Sequence, residues 1–309
     1  MKSSANEFGD ILYSVANERE DFVVYCPDTR SCGLEYFKDK FPGRGFNFGI
    51  AEQNLLDAAA GAASTGLKVY VPTFAVFMSM RACEQIRQFI CYPKQDVTLL
   101  STHTGLQVGS DGGTHIAVED VGIMRSIPNM SIVQPADGHA ARAIAKFSLD
   151  FHQPLYVRLH REAVPEVYDD SYEFEFNKIR IVKEYGHDLA ILATGVMVGK
   201  ALEAAEELAD KGINAIVADV STIKPIDVDG IVNIASKTSL IVTVEDHNVI
   251  GGLSSAVAEV LCREMPTKMC SLGIPDCFGE SGKSAELYEL HHLNAESIAD
   301  TIKNIVKNQ

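Results

Sequence analysis

Glu52, in the segment GIAEQN, stands where an apolar strand meets the first turn of an alanine-rich helix, with Ile50, Ala51, Leu55 and Leu56 around it. A carboxylate there complements the positive end of a helix. Equally, apolar surroundings favour the neutral form and let the group exchange a proton with a ligand. A second group lies in STHTGLQVGSDGGTHIAVED, where His103, Asp111 and His115 fall within thirteen positions joined by glycines. Glycine lets backbone approach a ligand closely, so a loop of this kind between strand and helix can wall a binding site. The two imidazoles are twelve positions apart with no cysteine beside them, a spacing that suits hydrogen bonding and proton transfer better than a metal.

Arg158 and Arg161, in PLYVRLHREAV, end an apolar strand. The carboxyl end of a parallel strand is where ligands bind such sheets, and the planar guanidinium matches phosphate or carboxylate. Either arginine could instead form an ordinary ion pair. Phe74 and Phe77, in TFAVF, are three apart, a spacing that core aromatics also show. VEDHNVIGG ends in paired glycines without the G-x-G-x-x-G spacing of a dinucleotide site.

Elements that bring these residues together follow from the pattern of the chain. Apolar strand-like runs such as KVYVPTF, DVTLLST, DLAILATG and LIVTVED alternate with helical stretches such as AEQNLLDAAAGAA and LEAAEELADKG, the signature of parallel sheets covered on both faces. A helix is expected through Arg81 to Cys91, another near Val118 to Arg125, and none of the usual periods marks TIKPID. The acidic, aromatic stretch VPEVYDDSYEFEFNKIR breaks the alternation and reads as a linker. The fold class is α/β with two doubly wound domains, residues 1–168 and 184–309, joined by 169–183. At 309 residues, two domains with a sizeable core each are what the length allows.

Composition narrows the function. The 27 Lys and Arg against 42 Asp and Glu give a net charge of −15, which argues against nucleic acid as partner, because that requires neutralising phosphates over a broad surface. No run approaches the ~20 apolar residues of a membrane span. The seven cysteines include no Cys-x-x-Cys pair and read as free thiols. The amino terminus, MKSSANEFGD, lacks a signal-peptide core, so a cytoplasmic location is expected.

In order along the chain, GIAEQN, TFAVF, THTGLQVGSDGGTH followed by ED and IPNM, VRLHRE, TIKPID and VEDHNVIGG resemble the C-terminal half of the transketolases, in particular the C-terminal subunit of a split, two-chain transketolase. The beta subunits of 2-oxo acid dehydrogenases and the rear part of 1-deoxyxylulose-5-phosphate synthase are similar in architecture. The resemblance implies a pyrimidine-binding domain followed by a transketolase C-terminal domain, with thiamine diphosphate as cofactor. It implies that Glu52 bonds N1′ of the aminopyrimidine and promotes removal of the thiazolium C2 proton, that Phe77 stacks on the pyrimidine with Phe74 beside it, and that Asp111 and His115 contact substrate hydroxyls. His103 and Arg161 match positions that bind a sugar phosphate.

Departures from the family pattern are Met80 in place of an aromatic, Ile116 in place of glutamine, and PDTRSCGLEYF, where Ser31 or Cys32 replaces a phosphate-contacting serine. They leave room for an unusual ketose phosphate. No Gly-Asp-Gly occurs in the chain. The resemblance therefore implies an N-terminal partner subunit that carries Gly-Asp-Gly and a later Asn and holds Mg²⁺ or Ca²⁺ with the diphosphate, in a two-plus-two heterotetramer inactive without it. The expected activity is transfer of a two-carbon ketol unit between sugar phosphates; the alternative is the beta subunit of a 2-oxo acid dehydrogenase.

Overall fold

A computed structural model of the protein describes residues 3–307 and contains two sheets. In chain order the strands are β1 (Phe22–Cys26), β2 (Gly45–Asn47), β3 (Lys68–Phe74), β4 (Val97–Thr102), β5 (Ser131–Val133), β6 (Leu155–Arg158), β7 (Arg180–Glu184), β8 (Leu189–Ala193), β9 (Ala215–Asp219), β10 (Thr222–Lys224), β11 (Leu240–Asn248) and β12 (Lys268–Ile274). The first sheet runs β10-β5-β6-β4-β3-β1-β2 and the second β12-β11-β8-β9-β7. All pairings are parallel except β10 with β5 and β7 with β9, each at a sheet edge.

The central strands are mostly apolar, and β4, β8, β9 and β11 are buried along their whole length, β11 ending in the buried polar residues Glu245, Asp246, His247 and Asn248. That is why they read as unbroken hydrophobic runs: helices cover both faces. Separate apolar clusters line the two faces of each sheet.

Two segments escape a reading by periodicity. TIKPID supplies β10, which leaves the second unit and pairs with β5 of the first sheet; Gln134 N donates to Ser221 O at 2.8 Å, and Lys224 Nζ donates to the carbonyls of Arg125 and Ile127 at 2.8 and 2.6 Å. Three residues suffice for an edge pairing and are too few to show a pattern. The aromatic segment before β7 folds back, Phe174 and Phe176 packing on Phe147 at 5.1 and 5.3 Å between ring centres. Asp137 ties this return to the sheet: one carboxylate oxygen caps helix Gly138–Leu149 through Ala140 N, and the other accepts from Val167 N and Tyr168 N.

The helix expected through Arg81 to Cys91 is wound wide. Residues Phe77–Arg81 and Ile86–Cys91 are π-helical, with Ala82 N donating to Phe77 O and Tyr92 N to Arg87 O. Such widened turns tend to sit at functional sites, where they re-aim side chains.

Candidate active site

Glu52 opens helix Glu52–Ala63 and is only 1% exposed. Its Oε2 accepts from Arg81 Nη1 at 2.9 Å, while Oε1, also buried, has no hydrogen-bond partner among the described residues. An orphaned buried carboxylate oxygen is costly and asks for a donor from elsewhere. The π turn aims Arg81 so that its guanidinium also covers the Phe77 ring at 4.3 Å.

From Phe77 the aromatic contacts run inward. Its ring lies stacked with Phe74 at 5.9 Å, Phe74 stacks on His103 at 3.8 Å, and His115 stands edge-on to Phe77 at 5.3 Å and to Phe74 at 6.2 Å. β3 delivers Phe74, β4 delivers His103, and the 3₁₀ segment Gly105–Asp111 carries the chain on to His115. Phe74, His103, Asp111 and Arg161 line one cleft of about 340 Å³. Within it Arg161 Nη1 donates to Asp111 Oδ2 and to Val108 O, both at 3.0 Å. Glu52, Phe77 and His115 are not on the wall of that cleft; Phe77 and His115 join it through the aromatic stack, and Glu52 through Arg81, whose guanidinium covers Phe77.

His103 has a left-handed backbone, φ +57°, which costs a non-glycine residue ~1 kcal/mol or more and is kept where geometry matters. Its Nδ1 lies 3.0 Å from the Thr102 hydroxyl. Burial, and then the Arg161 charge, push its pKa down to about 4, so the ring is neutral at pH 7. Because the folded value lies below the unfolded ~6.5, the unfolded chain binds the extra proton between the two. Stability from this group is therefore full above pH 6.5 and is lost as pH falls towards 4. We expect the imidazole NMR signals of His103 to stay those of a neutral ring down to pH 5, and His103→Asn to soften the acid side of the stability curve; a midpoint near 6.5 would refute this.

The arginines separate. Arg161 reaches the cleft, whereas Arg158 is buried and paired with Asp120 at 3.0 Å, away from it. Ile116 does not face the cleft either: it is 2% exposed and belongs to an apolar cluster shared with the second sheet. Ser31 and Cys32 line the cleft together with Arg30. Arg30 and Arg81 escaped sequence reasoning. Arg30 sits in a segment without period, and Arg81, although one helical turn beyond Phe77, has its carboxylate partner 29 positions away. Among the described residues no cluster of three or more His, Cys, Asp or Glu is placed to hold a metal, and no helix is long and apolar enough to cross a membrane.

Nearly the whole chain matches two known domain families. Residues 2–166 match the transketolase pyrimidine-binding domain and residues 177–298 the transketolase C-terminal domain. The chain is 38% identical to the 6-deoxy-6-sulfo-D-fructose transketolase subunit SqwH of Clostridium sp. (strain MSTE9), over 94% of this chain and 90% of that one. It is 37% identical to an apulose-4-phosphate transketolase subunit of Phocaeicola vulgatus, over 99% and 98%. Among solved structures it is similar to a split-gene transketolase described as an inactive beta4 tetramer, with a TM-score of 0.90, 40% identity and 98% of each chain covered.

Proposed function

This chain belongs to the transketolase family, as a C-terminal subunit of the split form, and from that premise we propose that it transfers a two-carbon ketol unit between sugar phosphates, with thiamine diphosphate held jointly with a second chain. The family is thiamine diphosphate dependent, and the residues present fit that cofactor. The observation that carries the reading is Glu52 Oε1, buried and without a donor among the described residues, on a carboxylate that Arg81 links to the stacked pair Phe77 and Phe74. When bound, the cofactor supplies an electron sink for the two-carbon fragment.

The chain's own residues then divide the work. Glu52 shares a proton with N1′ of the aminopyrimidine, and the two phenylalanines give that ring an apolar wall. Arg161 and neutral His103 take the anionic end of the ketose, and Arg30 stands at the same cleft. Asp111 and His115 orient its hydroxyls. On a chain of charge −15 these cations act by local focusing. Mg²⁺ or Ca²⁺ and the diphosphate fall to a partner that carries Gly-Asp-Gly and Asn, in a two-plus-two assembly. The subunit names of the relatives and the inactive, single-chain-type tetramer of the split-gene neighbour support that division. Relatives named for 6-deoxy-6-sulfo-D-fructose and apulose 4-phosphate favour, as a second reading, an unusual anionic ketose as donor.

Reconstitution tests this. Mixed with a partner chain that carries Gly-Asp-Gly and a later Asn, thiamine diphosphate and Mg²⁺, the protein should turn over ketose phosphates with an aldose phosphate acceptor and show no turnover alone. Turnover of pyruvate with an artificial electron acceptor, in place of ketol transfer, would assign it to the 2-oxo acid dehydrogenases instead.

A further inference from the structure

The loop that carries Asp111 and His115 is built on the first sheet, yet it is seated on the second unit. Asp246, at the end of β11 and 2% exposed, accepts from Leu106 N through Oδ1 at 3.0 Å and from the Tyr288 hydroxyl through Oδ2 at 2.8 Å. The approach is so close that a Cβ on Gly105, whose φ is +59°, would lie 2.0 Å from the carboxylate. At the other end of the loop, a Cβ on Gly279 would lie 2.8 Å from the Ile116 side chain. Between these points Leu106, Val108 and Ile116 are buried in the same apolar cluster as Leu189, Ile191 and Val242 of the second sheet. Asp111 and His115 thus hang from a segment whose inner face belongs to the other unit's core.

We propose that the second unit is the positioning template of the substrate loop, with Asp246, held by Tyr288, as its positioning residue. None of these groups touches the cleft, so the effect passes through the loop: a slackened anchor spreads the positions of Asp111 and His115, and misplacement of ångström size weakens hold on the substrate. The inference rests on the proposed ketol transfer only for its kinetic readout.

The test uses the assembled two-chain enzyme. Asp246→Ala should raise the KM for ketose phosphate about tenfold, the scale of one buried hydrogen bond lost, while thiamine diphosphate affinity stays unchanged. Asp246→Asn, whose amide oxygen can still accept from Leu106 N while its NH₂ faces Tyr288, should restore most of it. Tyr288→Phe, with its ring packing kept, covers the case in which Asp246→Ala fails to fold, and should raise KM in the same sense. Amide hydrogen exchange across residues 105–116 should quicken in Asp246→Ala and Tyr288→Phe, with or without substrate. Exchange and KM both at wild-type values in the folded variants would overturn the proposal. Should the wild-type assembly show no ketol transfer, the functional reading fails and the exchange data alone still decide the anchor.

Discussion

Glu52→Gln in the assembled enzyme should lower ketol transfer about 10³-fold, about 4 kcal/mol of barrier, with a much smaller change in thiamine diphosphate affinity. Glutamine is nearly isosteric, so helix Glu52–Ala63 and its packing stay as they are. Its amide oxygen can accept from Arg81 in place of Oε2, at the present 2.9 Å. That turns the NH₂ towards the place of the orphaned Oε1, where it donates a hydrogen bond to a ring nitrogen but cannot pass a proton. Binding and proton transfer are therefore separated by one atom. Glu52→Ala would confound them, because it leaves the Arg81 guanidinium without its carboxylate and opens a hole beside Leu55 and Leu56, both fully buried. Two measurements decide: steady-state ketol transfer, and the rate at which the cofactor's C2 hydrogen exchanges with deuterium in the absence of substrate. If both stay near wild type in Glu52→Gln, Glu52 does not activate the cofactor.

The fold was legible because its signals are local. Buried parallel strands must be apolar runs, and the glycine-rich turn after β4 must bend, so KVYVPTF, DVTLLST and the loop to His115 announce themselves. The candidate site shows in its residue types for the same reason: a carboxylate in an apolar helix start, two histidines among glycines, an arginine at a strand end. Residue type and strand position alone leave Arg158 and Arg161 equal; the family resemblance singles out Arg161, and it is Arg161 that lines the cleft. Arg158 and Arg161 are three positions apart on one strand end, and the packing decides that one is sealed within the protein while the other is 43% exposed. Ile116 is a similar case. Two positions before Val118 in a polar loop, it looks like part of the pocket wall; its burial comes from the second unit, from Leu189 in β8 to Gly279 after β12, beyond any local pattern. The pairing of Glu52 with Arg81 depends on a π turn, which widens the helix without leaving a mark on its composition.

That separation of the two arginines carries the largest expected effect on stability: Asp120→Ala should cost about 3–5 kcal/mol, whereas Arg161→Ala should cost less than ~1 kcal/mol. Arg158 and Asp120 are 1% and 0% exposed and meet through Nε at 3.0 Å from Oδ2. Tyr156 OH donates to the same Oδ2 at 2.7 Å, and Arg158 Nη2 donates to the carbonyls of Ala117 and Asp246 at 3.1 and 2.9 Å. Removing the carboxylate strands a guanidinium and a phenol where water cannot reach them. The carbonyls of Ala117 and Asp246 do not replace the lost charge. A matched apolar pair, Asp120→Leu with Arg158→Met, removes both charges at once and should recover much of the loss, since the desolvation of both ions disappears with their attraction. Arg158 bridges strand β6 to the backbone of β11, so the damage in Asp120→Ala should spread to the contact between the two units and loosen the seat of the substrate loop. Denaturant midpoints of the assembled enzyme check the ranking; an Asp120→Ala variant within ~1 kcal/mol of wild type would mean that water or a shifted neighbour compensates the buried arginine.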